Sequence, residues 1–162
     1  MSERQEECCA IHPPIRCGPE KCSQCGMMGK PVKKITLGAL LKAEKRNTIP
    51  TGQEEFCFCR NPDCAVVYFA LGQILYFKED LSQPIYQKER QSSSTPVCYC
   101  FGWTVGKIRQ KMERGDGKRI VEQITGEVKR GNCYCEITNP QGSCCLGNVS
   151  QVIAELSPKK SD

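Results

Sequence analysis

The spacing of the cysteines constrains this chain more than any other feature of it. They fall into short sets: Cys22-x2-Cys25, Cys57-x-Cys59-x4-Cys64, Cys98-x-Cys100, Cys133-x-Cys135 and the vicinal pair Cys144-Cys145, with Cys8, Cys9 and Cys17 ahead of them. Two cysteines one residue apart are too close for an unstrained disulfide with each other, but on a turning backbone they offer both sulfurs to one metal centre. Fourteen cysteines in 162 residues approaches the density at which bridges or metals, rather than a large apolar core, hold a small chain together.

Compartment decides between bridges and metals. The first residues, Met1 to Cys9, are charged and contain no apolar stretch of the secretory kind. The expectation is therefore a cytoplasmic chain with reduced thiols, where clustered cysteines bind metal. The longest apolar run, Ala65 to Phe77, is interrupted at Gly72 and Gln73 and falls short of the ~20 residues a membrane helix needs, so no membrane association is expected. The formal charge of +5 counts every thiol as neutral. With two tetrathiolate centres of about −2 each it falls to about +1, which gives no ground for a nucleic-acid partner.

Residues 1–19 are polar and lack periodicity, and read as a flexible tail. They nevertheless hold Cys8, Cys9, Cys17 and the single histidine, His12, a set that could close on a soft ion such as Cu(I). Cys22-Ser-Gln-Cys25-Gly26 is a tight knuckle that aims two thiolates at one zinc. Cys57, Cys59 and Cys64 are candidates for the second pair. Cys57 and Cys59 share a strand face, and Cys59 is preferred because Asn61-Pro62-Asp63 closes a turn between it and Cys64. Between the knuckles a strand is expected over Pro31 to Leu37 and a helix over Leu37 to Lys45. Beyond them the β-branched and aromatic runs from Ala65 and from Gln73 predict a hairpin. A sheet of two or three strands is marginal without a staple, and zinc is the staple available.

A short helix is expected over Lys78 to Ser82 and an extended piece over Ile85 to Arg90. The polar run ending at Thr95-Pro96 then marks a boundary. The expected layout is a zinc-binding domain over residues 20–90, a linker over 91–96, a second domain over 97–157 and a tail over 158–162. In the second domain, Thr104 can cap a helix carrying Val105, Ile108 and Met112, and a second helix with Ile120, Val121, Ile124 and Val128 stops at Gly131. That hairpin brings Cys133 back to Cys98 and Cys100. A third helix follows Cys145, with Leu146, Val149, Val152, Ile153 and Leu156 on one face.

These stretches resemble a known family. Cys22-x2-Cys25, Phe58-Cys59-x4-Cys64-Ala-Val-Val-Tyr-Phe, Pro96-Val-Cys-Tyr-Cys-Phe-Gly and Cys133-Tyr-Cys-Glu-x2-Asn-Pro-x-Gly-Ser-Cys-Cys-Leu-Gly are together similar to the N-terminal domain of the CopZ copper chaperones, over roughly residues 20 to 156. The C-terminal half separately resembles the [2Fe–2S] domain of bacterioferritin-associated ferredoxins (BFD-like). The resemblance implies an α+β chain: a small zinc-stapled β-rich domain followed by a helix-turn-helix BFD-like [2Fe–2S] domain. It implies zinc on Cys22, Cys25, Cys59 and Cys64, and a cluster on Cys98, Cys100, Cys133 and Cys145, with Cys144 and Cys135 as rivals in the segment 134–144. The transfer motif Met-x-Cys-x-x-Cys of full CopZ chaperones does not occur in this sequence.

The implied function is one-electron transfer linked to copper handling, including reduction of Cu(II) to Cu(I), with a redox protein or a copper-transfer protein as partner. A BFD-like adaptor docking through the basic residues from Lys107 to Arg119, and a non-redox zinc interaction module, are the alternatives. No Ser-His-Asp set, phosphate loop or paired carboxylates occur at useful spacing, so an enzyme is not expected.

Overall fold

The structure, a computed structural model, describes residues 21–70 and 73–158. Its first half is an antiparallel four-stranded sheet in the order β1 (Lys30–Val32), β2 (Phe56–Phe58), β3 (Val66–Ala70), β4 (Ile74–Phe77). Phe56 lies opposite Ala70 and Phe58 opposite Tyr68 across β2 and β3. Two short helices, α1 (Lys34–Leu40) and α2 (Ala43–Arg46), follow β1, and α1 packs on one face of this sheet. Leu37, Leu40 and Leu41 pack there with Phe56, Phe58, Tyr68 and Tyr76, all buried. The opposite face is lined by Cys22, Cys57, Cys59, Cys64, Val66 and Phe69, so the sheet has an apolar side and a sulfur side, as strand alternation dictates.

The second half begins with a two-stranded ribbon, β5 (Pro96–Cys98) and β6 (Trp103–Thr104), followed by α3 (Val105–Glu113), α4 (Gly117–Lys129), α5 (Cys135–Thr138) and α6 (Leu146–Leu156). Thr104 caps α3 through its side-chain oxygen, which accepts the Lys107 amide at 3.2 Å. Gly131, at φ 79, stops α4 in the left-handed conformation. Val105, Ile108, Ile120, Ile124, Val149 and Val152 form the core between these helices.

The hairpin β3–β4 and helices α3, α4 and α6 follow the sequence pattern. Three elements differ from it. The strand expected over Pro31 to Leu37 ends at Val32, and the helix begins at Lys34 rather than Leu37. Residues expected to be extended from Ile85 instead turn, with the amides of Lys88 and Glu89 donating to the Ile85 carbonyl. The sheet gains a fourth strand because Lys30–Val32 pairs with Phe56–Phe58.

Candidate metal centres

The first centre is built by a knuckle, a turn and one sheet face. In the knuckle the Gly26 amide donates to the Cys22 carbonyl at 2.7 Å and the Cys22 amide to the Met27 carbonyl at 2.9 Å. Gly26 itself sits at φ 72, a conformation costly for any residue with a Cβ. In the second turn Asn61 accepts the Asp63 amide on its side chain at 3.0 Å and the Cys64 amide on its carbonyl at 3.3 Å. These two loops bring Cys22, Cys25, Cys59 and Cys64 together, with all four sulfurs within 4.8 Å of one another.

Two of the sulfur separations are 3.9 Å, Cys22 to Cys64, and 3.6 Å, Cys25 to Cys59. A tetrahedron with Zn–S bonds of about 2.3 Å has edges of about 3.8 Å, so the donor set fits zinc in both number and spacing. Burial opposes ionisation of Cys25, but the Met27 amide, the Asn61 side chain and neighbouring thiols donate to it and bring its pKa down to about 7. Burial pushes Cys59 up to about 12, against the Asn61 amide and the positive charge of Lys88. A bound dication would supply the stabilisation that the buried thiolates lack. Cys57, fully buried in β2, lies outside this set.

The second centre gathers six thiols at one end of the helices. Cys98 ends β5, and Cys100 lies in the turn that Tyr99 anchors by donating its hydroxyl to the Pro84 carbonyl at 2.8 Å and accepting the Tyr86 amide at 3.0 Å. Cys133 follows α4, Cys135 opens α5, and Cys145 stands at the N-cap of α6. Cys100, Cys133 and Cys135 have sulfurs within 4.8 Å of one another. Cys135 lies 3.6 Å from Cys100 and 3.3 Å from Cys133, and its thiol also meets Cys144 and Cys145. Cys145 meets Cys98 in turn. Cys98, Cys135 and Cys145 are buried, Cys100 and Cys133 half-buried, and Cys144 exposed.

Donation from Cys135 and then Cys98 lowers the Cys145 pKa to about 4, against its burial. The positive N-terminal end of α6 is a favourable place for such a thiolate. The same contacts, with burial, hold the Cys98 and Cys135 thiols well above the usual range. The Tyr134 amide donates to the Cys100 sulfur at 3.1 Å, and the Thr138 hydroxyl lies 3.1 Å from it. A donor set of thiolates alone, mostly sheltered from water and met by a backbone amide, suits a soft metal or an iron–sulfur cluster.

Comparison with known proteins bears on the first centre and on the fold. Residues 19–82 match the CopZ zinc-binding domain family (zf_CopZ). The chain is 34% identical over 132 residues to the copper chaperone CopZ of Archaeoglobus fulgidus, a match covering 82% of this chain and 61% of that protein. The crystal structure of the N-terminal domain of that CopZ superposes with a TM-score of 0.69 at 32% identity, covering 82% of this chain and 97% of the domain. The chain belongs to the CopZ N-terminal domain family. It spans about three-fifths of the length of the full CopZ it matches.

Within this CopZ-type chain, the sheet half grips the segment that carries the last four thiols, which sequence reasoning did not anticipate. Tyr68, from β3, donates its buried hydroxyl to the Pro140 carbonyl at 2.7 Å. Thr36, from α1, donates to the Glu136 carbonyl at 2.7 Å, and Gln83 donates to the Thr138 carbonyl at 2.5 Å. Gln87 donates to Gln141 at 2.6 Å, and Gln141 donates to the Cys144 carbonyl at 3.0 Å. Asn139-Pro140-Gln141-Gly142 is a turn signature that sequence could have offered, whereas its distant partners leave no local pattern. The copper candidates Cys8, Cys9, His12 and Cys17 lie outside the described residues.

Proposed function

We propose that this CopZ-type chain is a metal-binding electron-transfer protein that holds one structural zinc and one [2Fe–2S] cluster and serves copper handling. The observation that carries this reading is the separation of the ten free thiols among the described residues into two groups, four with zinc spacing and six at a helix end, where Cys100, Cys133 and Cys135 lie within 4.8 Å of one another and Cys98, Cys135 and Cys145 are buried. When bound, a [2Fe–2S] cluster takes up and releases one electron. The protein's own residues bind it, exclude water and donate to its sulfurs. Copper enters from kinship, since the full-length relative is named a copper chaperone. The substrate reading is Cu(II) reduced to Cu(I), with the electron supplied by a redox partner protein.

The thiol contacts favour Cys98, Cys100, Cys135 and Cys145 as the cluster ligands. These four form a continuous chain of contacts from Cys100 to Cys135, Cys145 and Cys98, and three of them are buried. Cys133, the third ligand expected from sequence, lies within 4.8 Å of both Cys100 and Cys135 and is the rival of Cys135 for the third position. A BFD-like adaptor remains a second reading. Its support is the groove where Trp103 meets Lys107, Lys111 and Arg114, a basic surface fit for an acidic partner.

Anaerobic purification followed by iron, zinc and sulfide analysis tests the main reading. About two irons and one zinc per chain, with a rhombic EPR signal on reduction, is the expected result. Zinc alone in a colourless protein would replace it with a non-redox zinc module. Cys135→Ser is expected to abolish the cluster and Cys133→Ser to retain it.

A further inference from the structure

Lys107, Lys111 and Arg114 stand at positions i, i+4 and i+7 along α3 and its C-cap, so they share one face of that helix. With Gln110 they line a groove closed on its other side by Trp103. Lys107 and Arg114 are exposed and Lys111 is half-buried. Among the described residues no acidic side chain lines this groove, and neither Lys111 nor Arg114 belongs to an ion pair. On α4, by contrast, Arg119 is paired with Asp116, and Arg130 with Glu127. A row of cations without counter-charges raises a local positive potential that an acidic surface complements.

The groove also reaches the thiols. Trp103 lies opposite Cys98 in the ribbon β5–β6. With Phe101 it packs against the core that holds Cys98, Cys135 and Cys145. Lys107 ties the basic row to the same turn, its ammonium donating to the Gly102 carbonyl at 2.8 Å, two residues past Cys100. A half-buried indole thus has cations on one side and the second centre behind it. Tryptophan and arginine are the residues that anchor protein interfaces. The loaded chain carries only about +1 overall, so attraction is confined to this face, which favours a folded acidic partner over a polyanion.

We propose that the groove between Trp103 and the row Lys107, Lys111 and Arg114 is where electrons enter this chain, by docking an acidic one-electron carrier protein. The entry face rests on the cluster reading above and gives the redox partner a place and a charge.

The test uses the full chain loaded with iron and zinc, with flavodoxin, a small acidic flavoprotein, as the probe. In the transfer one electron leaves the anionic reduced flavin, which becomes a neutral radical, and enters the cluster, with no bond made and no proton moved. Calorimetry follows binding of oxidised flavodoxin, and stopped-flow absorbance follows the transfer. Both should weaken at least about tenfold between about 0.01 M and about 1 M salt, as the screening length falls from about 30 Å to about 3 Å. The double variant Lys111→Glu, Arg114→Glu should weaken both at least about tenfold at low salt. Lys42→Glu with Lys78→Glu, at two exposed lysines of the sheet half, changes net charge equally and should leave both near wild type. Trp103→Leu should slow transfer several-fold at every salt concentration. Dithionite should reduce all of these proteins alike. Equal losses from the two double variants, or no flavodoxin binding by a wild-type protein that dithionite reduces, would overturn the entry face while the cluster reading stands. Binding of a single-stranded oligonucleotide, lost in the Lys111 and Arg114 variant and without flavodoxin binding, would assign the face to a polyanion instead. A colourless chain that dithionite leaves unchanged would overturn the cluster reading beneath it.

Discussion

At the scale of single residues, the second centre is asymmetric in how its thiols hold their protons. Cys144 is exposed, and its contact with Cys135 and the Leu146 amide, opposed by partial burial, bring its pKa down to about 6. Its thiolate fraction therefore grows as pH rises through 6 and is nearly complete at neutrality. In reduced protein not yet loaded with iron, iodoacetamide should modify Cys144 ahead of the buried cysteines, at a rate that climbs through pH 6 and then levels. Peptide mapping by mass spectrometry reads the order, and a rate still climbing at pH 9 would contradict the assigned environment. Tyr68 poses the opposite case. Burial raises its pKa far above the usual range, so it remains a hydroxyl donor to Pro140. Tyr68→Phe leaves that buried carbonyl without its donor and should cost about 1–3 kcal/mol, measured by urea unfolding of the metal-loaded protein.

At the scale of elements, the turn before Cys144 is a tight fit. Gly142 has φ 68, and a Cβ there would lie 3.2 Å from the Thr36 hydroxyl and 3.4 Å from a Val32 methyl. Gly142→Ala should therefore cost about 1–2 kcal/mol from the backbone alone and lower the thermal midpoint of the loaded protein, as differential scanning calorimetry would register. How much of this was legible in sequence depends on whether the signal is local. The period of Ile120, Ile124 and Val128, the Thr104 cap and the Gly131 stop are local, and α3 and α4 follow them. The β-branched and aromatic runs likewise foretell β3 and β4. The four-residue α5 has no period to read, and the ribbon β5–β6 is too short to show alternation. The zinc set was legible because its spacing is itself the geometry of two turns. In Cys133-Tyr134-Cys135, by contrast, spacing does not say which sulfur faces inward. That depends on how α5 is held, and α5 is held by Thr36, one hundred residues away in sequence.

At the scale of the whole molecule, the two halves share the segment from Glu136 to Cys145. Its grips come from β3 through Tyr68, α1 through Thr36, and Gln83 and Gln87 beyond the sheet. The Lys33 to Glu136 ion pair adds little, since both side chains are about two-fifths exposed. A small sheet is marginal without a staple, and metal-binding free energy at such a centre is folding free energy. Losing zinc should thus loosen β1, α1 and β3, and with them the loop that sets Cys135 and Cys145. Cys22→Ser, which removes one sulfur of the first set, is expected to lose zinc and also to bleach the second centre several-fold faster in air, though none of the six thiols there is altered. Tyr68→Phe should bleach at an intermediate rate with zinc intact, because it removes one grip and leaves the staple. Absorbance decay and iron release measure both. Wild-type bleaching in the zinc-free variant would mean that α4 and α6 hold the loop by themselves. The expected order, wild type slowest, Tyr68→Phe next and Cys22→Ser fastest, would make the zinc a support for the second centre through hydrogen bonds rather than a separate fixture.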